Sequence, residues 1–454
     1  MPDEGPDRSA AGRPPPHRGT QASFPVLSES LSDKAIRPAS WLDRFGTLVT
    51  VGEQHHDSTT TGRAMEGFEP TEEVRRLRDR VRRFVDEEVV PVERGLLLAT
   101  GTLEELMASA KAQGLWALGH PSTMGGGGLS LLAYVYINEV IGRSLPAEVA
   151  LGTHTLQDAL MLERYASEEQ RRRWLAPLVE GTVYASIGMT EPEVAGSDPK
   201  LMRSTATPDG EGWVIDGHKW FVRWADRAAV ITVLAKTDPT ARLHRQYSAF
   251  LVPTDAPGYT VERLLSVMGD EQGSYGEIRL HRVPVSADQM LGERGDGFAI
   301  AQARLQPKRV FDCMRWLGQA ERAFELMCAR ANERYAHGSL LREKGEIQRN
   351  VAESAAQIHA ARLMVLDTAR RIDVGKDARV ETSLITFSTA RMLHDVLDRA
   401  IQIHGAAGVS DDLPLEAMYR AARSARIYDG PDEVHRMLAA RELLDDLERH
   451  TPWS

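Results

Sequence analysis

Residues 183–198 read Val-Tyr-Ala-Ser-Ile-Gly-Met-Thr-Glu-Pro-Glu-Val-Ala-Gly-Ser-Asp, a β-forming run that breaks at a loop containing proline and glycine. The hydrophobic period of the chain changes here. Upstream, apolar residues recur at helical spacing. Val74, Leu77, Val81, Phe84 and Val85 come after a Thr71 N-cap with Glu72 and Glu73 in the first turn. The same spacing continues through 103–112, 129–141, 154–165 and a short helix capped by Ser167. Downstream, β-rich runs at 213–215, 228–234, 248–252, 259–264 and 277–283 are divided by turn signals such as Asp209-Gly210 and Asp216-Gly217. These runs predict an antiparallel β domain. After Gly297 the helical period returns, with Val310, Met314, Leu317, Phe324 and Met327 as the inward stripe of one long helix. Gly375, Gly405 and Gly430 punctuate the later helices. The α, β, α order without βαβ alternation argues against a Rossmann reading and predicts an α+β fold: a helical domain over 65–181, a middle β domain over 182–290 and a C-terminal helical bundle over 291–454. Residues 1–64 are rich in Pro, Ser, Thr, Gly and charge, which predicts a disordered extension.

Composition narrows the function. The 454 residues carry 65 acidic side chains against 55 Lys and Arg, a net charge of −10 that argues against nucleic acid or an anionic membrane as the main partner. No apolar run reaches the ~18 residues that span a bilayer, so membrane insertion is not expected. Two cysteines, Cys313 and Cys328, are too few for a disulfide framework or a four-ligand zinc site, and both fall in helical sequence as buried thiols. The N-terminus lacks a secretory h-region and carries acids where a transit peptide avoids them, so the expected compartment is the cytoplasm.

Several chemistries lack their residues. Gly125 to Gly128 are not followed by Lys-Ser/Thr and not preceded by a strand, which favours a structural turn over a phosphate cradle. The adjacent pair His55-His56 lies in the N-terminal extension, no H-E-x-x-H motif occurs, and no metal site is expected. No G-x-S-x-G elbow is present. Two segments say more. The 189–198 loop exposes backbone N–H groups and hydroxyls suited to a polar planar ring or a phosphate, although an ordinary loop also explains it. Tyr428-Asp-Gly-Pro-Asp-Glu433 puts a carboxylate between two helices, where Asp429 is either a turn residue or a base.

Taken in order with other motifs, these segments resemble the acyl-CoA dehydrogenase family across about residues 65–447. The resemblance rests on Tyr165-Ala-Ser-Glu-Glu-Gln170 with Trp174-Leu175, Met189-Thr-Glu-Pro192 with Gly196-Ser-Asp198, and Gly217-His-Lys-Trp-Phe221. It rests further on Leu291-Gly-Glu-Arg-Gly-Asp-Gly-Phe298, Arg334 with Gly338 and Gln348, Gln402-Ile-His-Gly405, and Tyr428-Asp-Gly430 leading to Ala440-Arg-Glu442. Thr-Glu-Pro-Glu-Val-Ala and Asp-Gly-Pro-Asp-Glu-Val look most like the branch of family members ten and eleven.

The resemblance implies a C-terminal four-helix bundle, FAD, an acyl-CoA substrate oxidised to the 2-enoyl-CoA, an electron-transfer flavoprotein or other acceptor, and a homodimer or homotetramer whose neighbouring subunit completes the FAD site. It places Met189, Thr190, Gly196, Ser197, Phe221, Val222 and Arg223 against the flavin, and Arg334, Gln348, Gln402, Gly405 and Ala406 along its adenine-diphosphate half. Pro431, Asp432 and Glu433 match cofactor contacts after the base, and Ser197, Arg309 and Gly430 lie on the substrate side. Removing an α-proton while hydride leaves the β carbon asks for a base, and Asp429 matches a family position that is usually Glu. Lys308 occupies the alternative base position, which leaves Asp429 as the only carboxylate in either place.

Three residues depart from the family: Arg223 for Thr or Ser, His337 for Phe, and Pro431 for Thr. Arg223 either faces the flavin or turns outward to pair with a carboxylate such as Asp226. A flavin oxidase, a dehydrogenase of a carrier-protein thioester or other carbon acid, and a non-catalytic scaffold are the competing readings.

Overall fold

Thr71 caps the first helix as its spacing predicts: its hydroxyl accepts from the Val74 N–H, and Val74, Val81 and Phe84 of helix α1 (Glu72–Phe84) turn inward. A computed structural model of the chain describes residues 68–97, 103–268 and 270–445. The extension expected over 1–64 lies outside them. Helices α2 (Glu104–Ala112), α3 (Leu131–Ile141) and α4 (Leu156–Tyr165) come next, and Ser167 closes a full capping box with Gln170. The glycines at 125–128 form a structural turn. Gly126 and Gly127 pack so closely on the backbone of His120 and Leu118 that a side chain would not fit.

The sheet has eight strands: β1 (Ala185–Gly188), β2 (Thr205–Asp209), β3 (Gly212–Arg223), β4 (Val230–Lys236), β5 (Tyr247–Pro253), β6 (Tyr259–Val267), β7 (Asp270–Val285) and β8 (Met290–Leu291). Their order is β6-β7-β3-β2-β4-β5-β8, with β1 on β4. Two features correct the sequence reading. The sheet is mixed, because β1 runs parallel to β4 in the register Ala185 to Val230 and Gly188 to Val233, and β2 touches β4 in parallel as well. Strand β2, Thr-Ala-Thr-Pro-Asp, carries no apolar alternation and is held by its hairpin with β3 rather than by burial of its own.

Helix α5 (Gly297–Glu333) opens the C-terminal region, and its predicted stripe is buried throughout. It crosses α3 closely. Gly318 and Gly142 lie against the backbones of Glu139 and Arg315, where any Cβ would collide. Helices α6 (Gly345–Asp373), α7 (Arg379–His404), α8 (Leu415–Ser424) and α9 (Asp432–Asp445) complete a bundle whose main core is shared with the N-terminal helices. The element order is therefore helices, sheet, helices, an α+β fold.

Candidate active site

The turn between α8 and α9 adopts an unusual backbone. Asp429 has φ 55° and Gly430 has φ 108°. A Cβ on Gly430 would stand 2.8 Å from His435 Nε2, so the position requires glycine on both counts. The Asp429 carbonyl accepts from Arg309 Nε at 3.0 Å and lies 3.3 Å from His435 Nε2. Such braces keep a strained residue in place.

The Asp429 carboxylate meets a cation. Lys308 Nζ is 2.5 Å from Asp429 Oδ2 and 2.5 Å from Asp312 Oδ2, one helical turn further along α5. Arg315 pairs with both Asp312 and Glu148, and Glu148 Oε1 lies 3.1 Å from Arg223 Nη1. Charge thus alternates without a break from Asp429, along one face of α5, to the end of β3. Burial works to raise the Asp429 carboxyl, but Lys308, Arg304 and Arg309 outweigh it and hold the group below the ordinary carboxylate range. For Asp312 burial wins, and the group is pushed up to about 6. Beside this chain a cavity of about 10 Å³, room for one water, is lined by Tyr134, Asn138, Thr153, Gln157 and Phe311.

The second half of the site is built on the sheet. The β3 and β7 register shifts between Lys219 and Val222, and at this bulge Phe221 has φ 55° and is 45 % exposed. Lys219 is wholly buried and donates to Glu191 Oε1 at 2.8 Å and to the Met189 carbonyl at 3.2 Å. Glu191 also accepts from the Arg203 N–H, the Ser204 N–H and the Ser204 hydroxyl, and Trp220 N–H donates to the Thr190 carbonyl. These bonds anchor the 189–198 loop beside the exposed Phe221 ring. The buried Trp220 Nε1 has no partner among the described residues. An aromatic held open by a bulge, a pinned polar loop and an orphaned donor fit a flat heteroaromatic ring with hydrogen-bonding edges.

The structure sorts the remaining expected residues. Met189 and Thr190 are half-buried and Gly196 and Ser197 exposed, all on the pinned loop. Val222 is fully buried in the sheet core, so it offers a ligand only its backbone. Arg223 stacks on Trp224, 4.3 Å from the ring centroid, and its carboxylate partner is Glu148 of a helical turn at Ala147–Ala150. Asp226 instead pairs with Arg227 at 3.5 Å, because the backbone reverses at Trp224. Asp432 is buried and committed to Arg426 at 2.7 Å, which anchors the start of α9, while Pro431 is half-buried and Glu433 exposed. Arg334, Gln348, Gln402, Gly405 and Ala406 all occupy exposed positions on the C-terminal helices and their connections. His337, at φ 49°, sits in a two-stranded hairpin after α5. Asp312 adjoins Lys308 as a second carboxylate. Sequence reasoning passed over Asp312, Arg315 and Glu148, although Lys308, Asp312 and Arg315 keep the i, i+4 and i+3 spacing of helical ion pairs.

Profiles of the acyl-CoA dehydrogenase N-terminal, middle and C-terminal domains match residues 71–182, 186–283 and 295–444. The chain is 42% identical over 350 residues to "probable acyl-CoA dehydrogenase FadE2" of Mycobacterium tuberculosis, covering 75% of this chain and 85% of that one. It is 39% and 38% identical to mouse acyl-CoA dehydrogenase family members 10 and 11, over 85% and 77% of this chain. It spans only 38% and 46% of the length of those two relatives. The solved acyl-CoA dehydrogenase of Geobacillus kaustophilus superposes with a TM-score of 0.75 at 27% identity, over 84% of this chain and 100% of that one.

Proposed function

The chain belongs to the acyl-CoA dehydrogenase family and is an oxidoreductase acting on CH–CH groups, and from that premise we propose that it converts an acyl-CoA thioester to the 2-enoyl-CoA, with Asp429 as the base. The observation that carries this reading is the braced carboxylate of Asp429. It is ionised, fixed by Lys308 and by the Arg309 and His435 contacts to its own carbonyl, and joined through one chain of charges to the bulged end of β3.

FAD, when bound, supplies the acceptor for the β-hydride. The chain's own residues do the rest. An Asp429 carboxylate oxygen takes the α-proton as the C–H electron pair shifts toward the thioester carbonyl. The 189–197 loop and Phe221 cradle the ring, with Val222 contributing backbone alone, and Ser197, Arg309 and Gly430 face the substrate. Arg309 has a second task, since its Nε braces the base. Arg334, Gln348, Gln402, Gly405 and Ala406 meet the adenine-diphosphate half of a cofactor shared between subunits of a homodimer or homotetramer. Their exposure supports that reading, as do exposed apolar residues on the C-terminal region such as Val409 and Met437. Pro431, Asp432 and Glu433 come directly after the base and set its position from the start of α9. The electron acceptor is an electron-transfer flavoprotein or another carrier. The free thiols Cys313 and Cys328 fit a reducing cytoplasm. Among the described residues no helix is long and apolar enough to cross a membrane.

Anaerobic titration of the flavin-loaded protein with a panel of acyl-CoAs tests the proposal. Bleaching of the flavin absorbance by at least one member supports it, and no bleaching by any acyl-CoA refutes it.

A further inference from the structure

Two carboxylates share one ammonium beside the reacting position, and only one of them is placed to act on substrate. Asp429 stands on the strained turn, whereas Asp312 is buried in α5 on the far side of Lys308. We propose that Lys308 and Asp312 act as a pair of positioning residues: Lys308 holds the short Asp429 side chain in its working place, and Asp312 keeps that base strong by drawing off part of the Lys308 charge. The inference rests on Asp429 being the base.

The effect is electrostatic. An ammonium 2.5 Å from a carboxylate fixes its direction but stabilises its charged form, which weakens it as a base. A base one methylene shorter than glutamate gains from the first effect and loses from the second. Asp312 offsets the loss, because a second anion at 2.5 Å competes for the same ammonium and also repels the charge on Asp429. The other groups facing the pair come from every neighbouring element. From α5 these are Arg304, Arg309, Cys313 and Arg315, from β3 Arg223, and from the turn and α9 Tyr428 and His435; Glu148 and Tyr134 stand against Arg315, Tyr275 against Tyr428 and Asp432 against His435, one contact further out. Arg304 is committed to Asp158 at 2.6 Å and Arg315 to Glu148 and Asp312. His435 is pushed down to about 4 by burial and stays neutral through the working range. Lys308 is thus the cation in direct contact with the Asp429 carboxylate, and Asp312, pushed up to about 6 on the same ammonium, is a group whose protonation redistributes that contact.

Two measurements test this. In the wild type, the rate of flavin reduction by a saturating acyl-CoA should step down to a lower, non-zero plateau as pH falls through about 6, where Asp312 takes up a proton and Lys308 falls wholly to Asp429. Asp312→Asn should sit at the lower plateau throughout, about three- to tenfold slower, with the step gone. The second measurement does not depend on any acyl-CoA being a substrate. With 13C-labelled aspartate carboxyls, and Asp429 assigned by its loss in Asp429→Asn, the Asp429 midpoint should rise by about one pH unit or more in Lys308→Met and return in Lys308→Arg. Slower variants with unmoved midpoints, or a wild type in which Asp429 does not sense the titration of Asp312, would overturn the inference. Failure of the dehydrogenase reading would show separately, as a flavin that no acyl-CoA bleaches.

Discussion

Lys308 Nζ lies 2.5 Å from Asp429 Oδ2, so the carboxylate presented by the Tyr-Asp-Gly turn is an ion pair before any substrate arrives. The sequence places these two residues 121 positions apart. The fold brings them into contact, and the cation becomes the partner of the carboxylate.

That contact has a stability signature. Lys308 lowers the folded-state pKa of Asp429 below its unfolded value of ~3.9, so the pair's contribution is fully present above that value. It is lost as pH falls through the lower folded pKa. The difference in melting temperature between wild type and Asp429→Asn is therefore expected to be largest near pH 7 and to shrink at low pH. Thermal unfolding monitored by circular dichroism at pH 7 and pH 3 checks this, and a difference that grows on acidification would contradict it.

The Lys219 and Glu191 pair should be much costlier to break. Both side chains are essentially inaccessible, and Lys219→Met would leave the Glu191 carboxylate buried with its hydrogen bonds to Ser204 and the Arg203 N–H but no counter-ion. Removing one partner of such a pair costs about 3–5 kcal/mol. The expected result in urea unfolding is a transition shifted by that amount, with flavin released first because the pair pins the Met189 carbonyl.

Gly430→Ala separates backbone from chemistry. Positive φ and the approach of His435 both penalise a Cβ there, by ~1–3 kcal/mol for the backbone alone. The strain falls on the peptide next to Asp429. We expect the variant to retain flavin but reduce it at least tenfold more slowly, ~1.4 kcal/mol in the barrier. Stopped-flow reduction measures this directly.

Arg223 and Glu148 are expected to act on the flavin as a balanced pair. Arg223→Thr removes a cation and should lower the reduction potential, Glu148→Gln should raise it, and the double variant should return close to wild type. Potentiometric titration of the three variants decides. Shifts of the same sign in the two single variants would show that the residues do not tune the flavin together.

Much of this molecule is legible in its sequence because periodicity and capping are local. Thr71, Ser167 and the Val310 to Met327 stripe do what their spacing predicts. Strand β2 was hidden because a polar strand made by a hairpin leaves no alternation to read. The charge chain was only half hidden. Lys308, Asp312 and Arg315 share a helix face, but Glu148, Arg223 and Asp429 come from three distant segments, and nothing along the chain says that they meet. Asp226 looked like the natural partner of Arg223 by proximity in sequence, and the reversal at Trp224, with φ 53°, is what separates them.

Asp429 as the base is open to one direct measurement. Asp429→Asn should fold and bind flavin, and under anaerobic conditions an acyl-CoA that bleaches the wild type should reduce the variant at least ~10²-fold more slowly. Reduction at the wild-type rate by an Asp429→Asn protein with full flavin content would contradict the assignment.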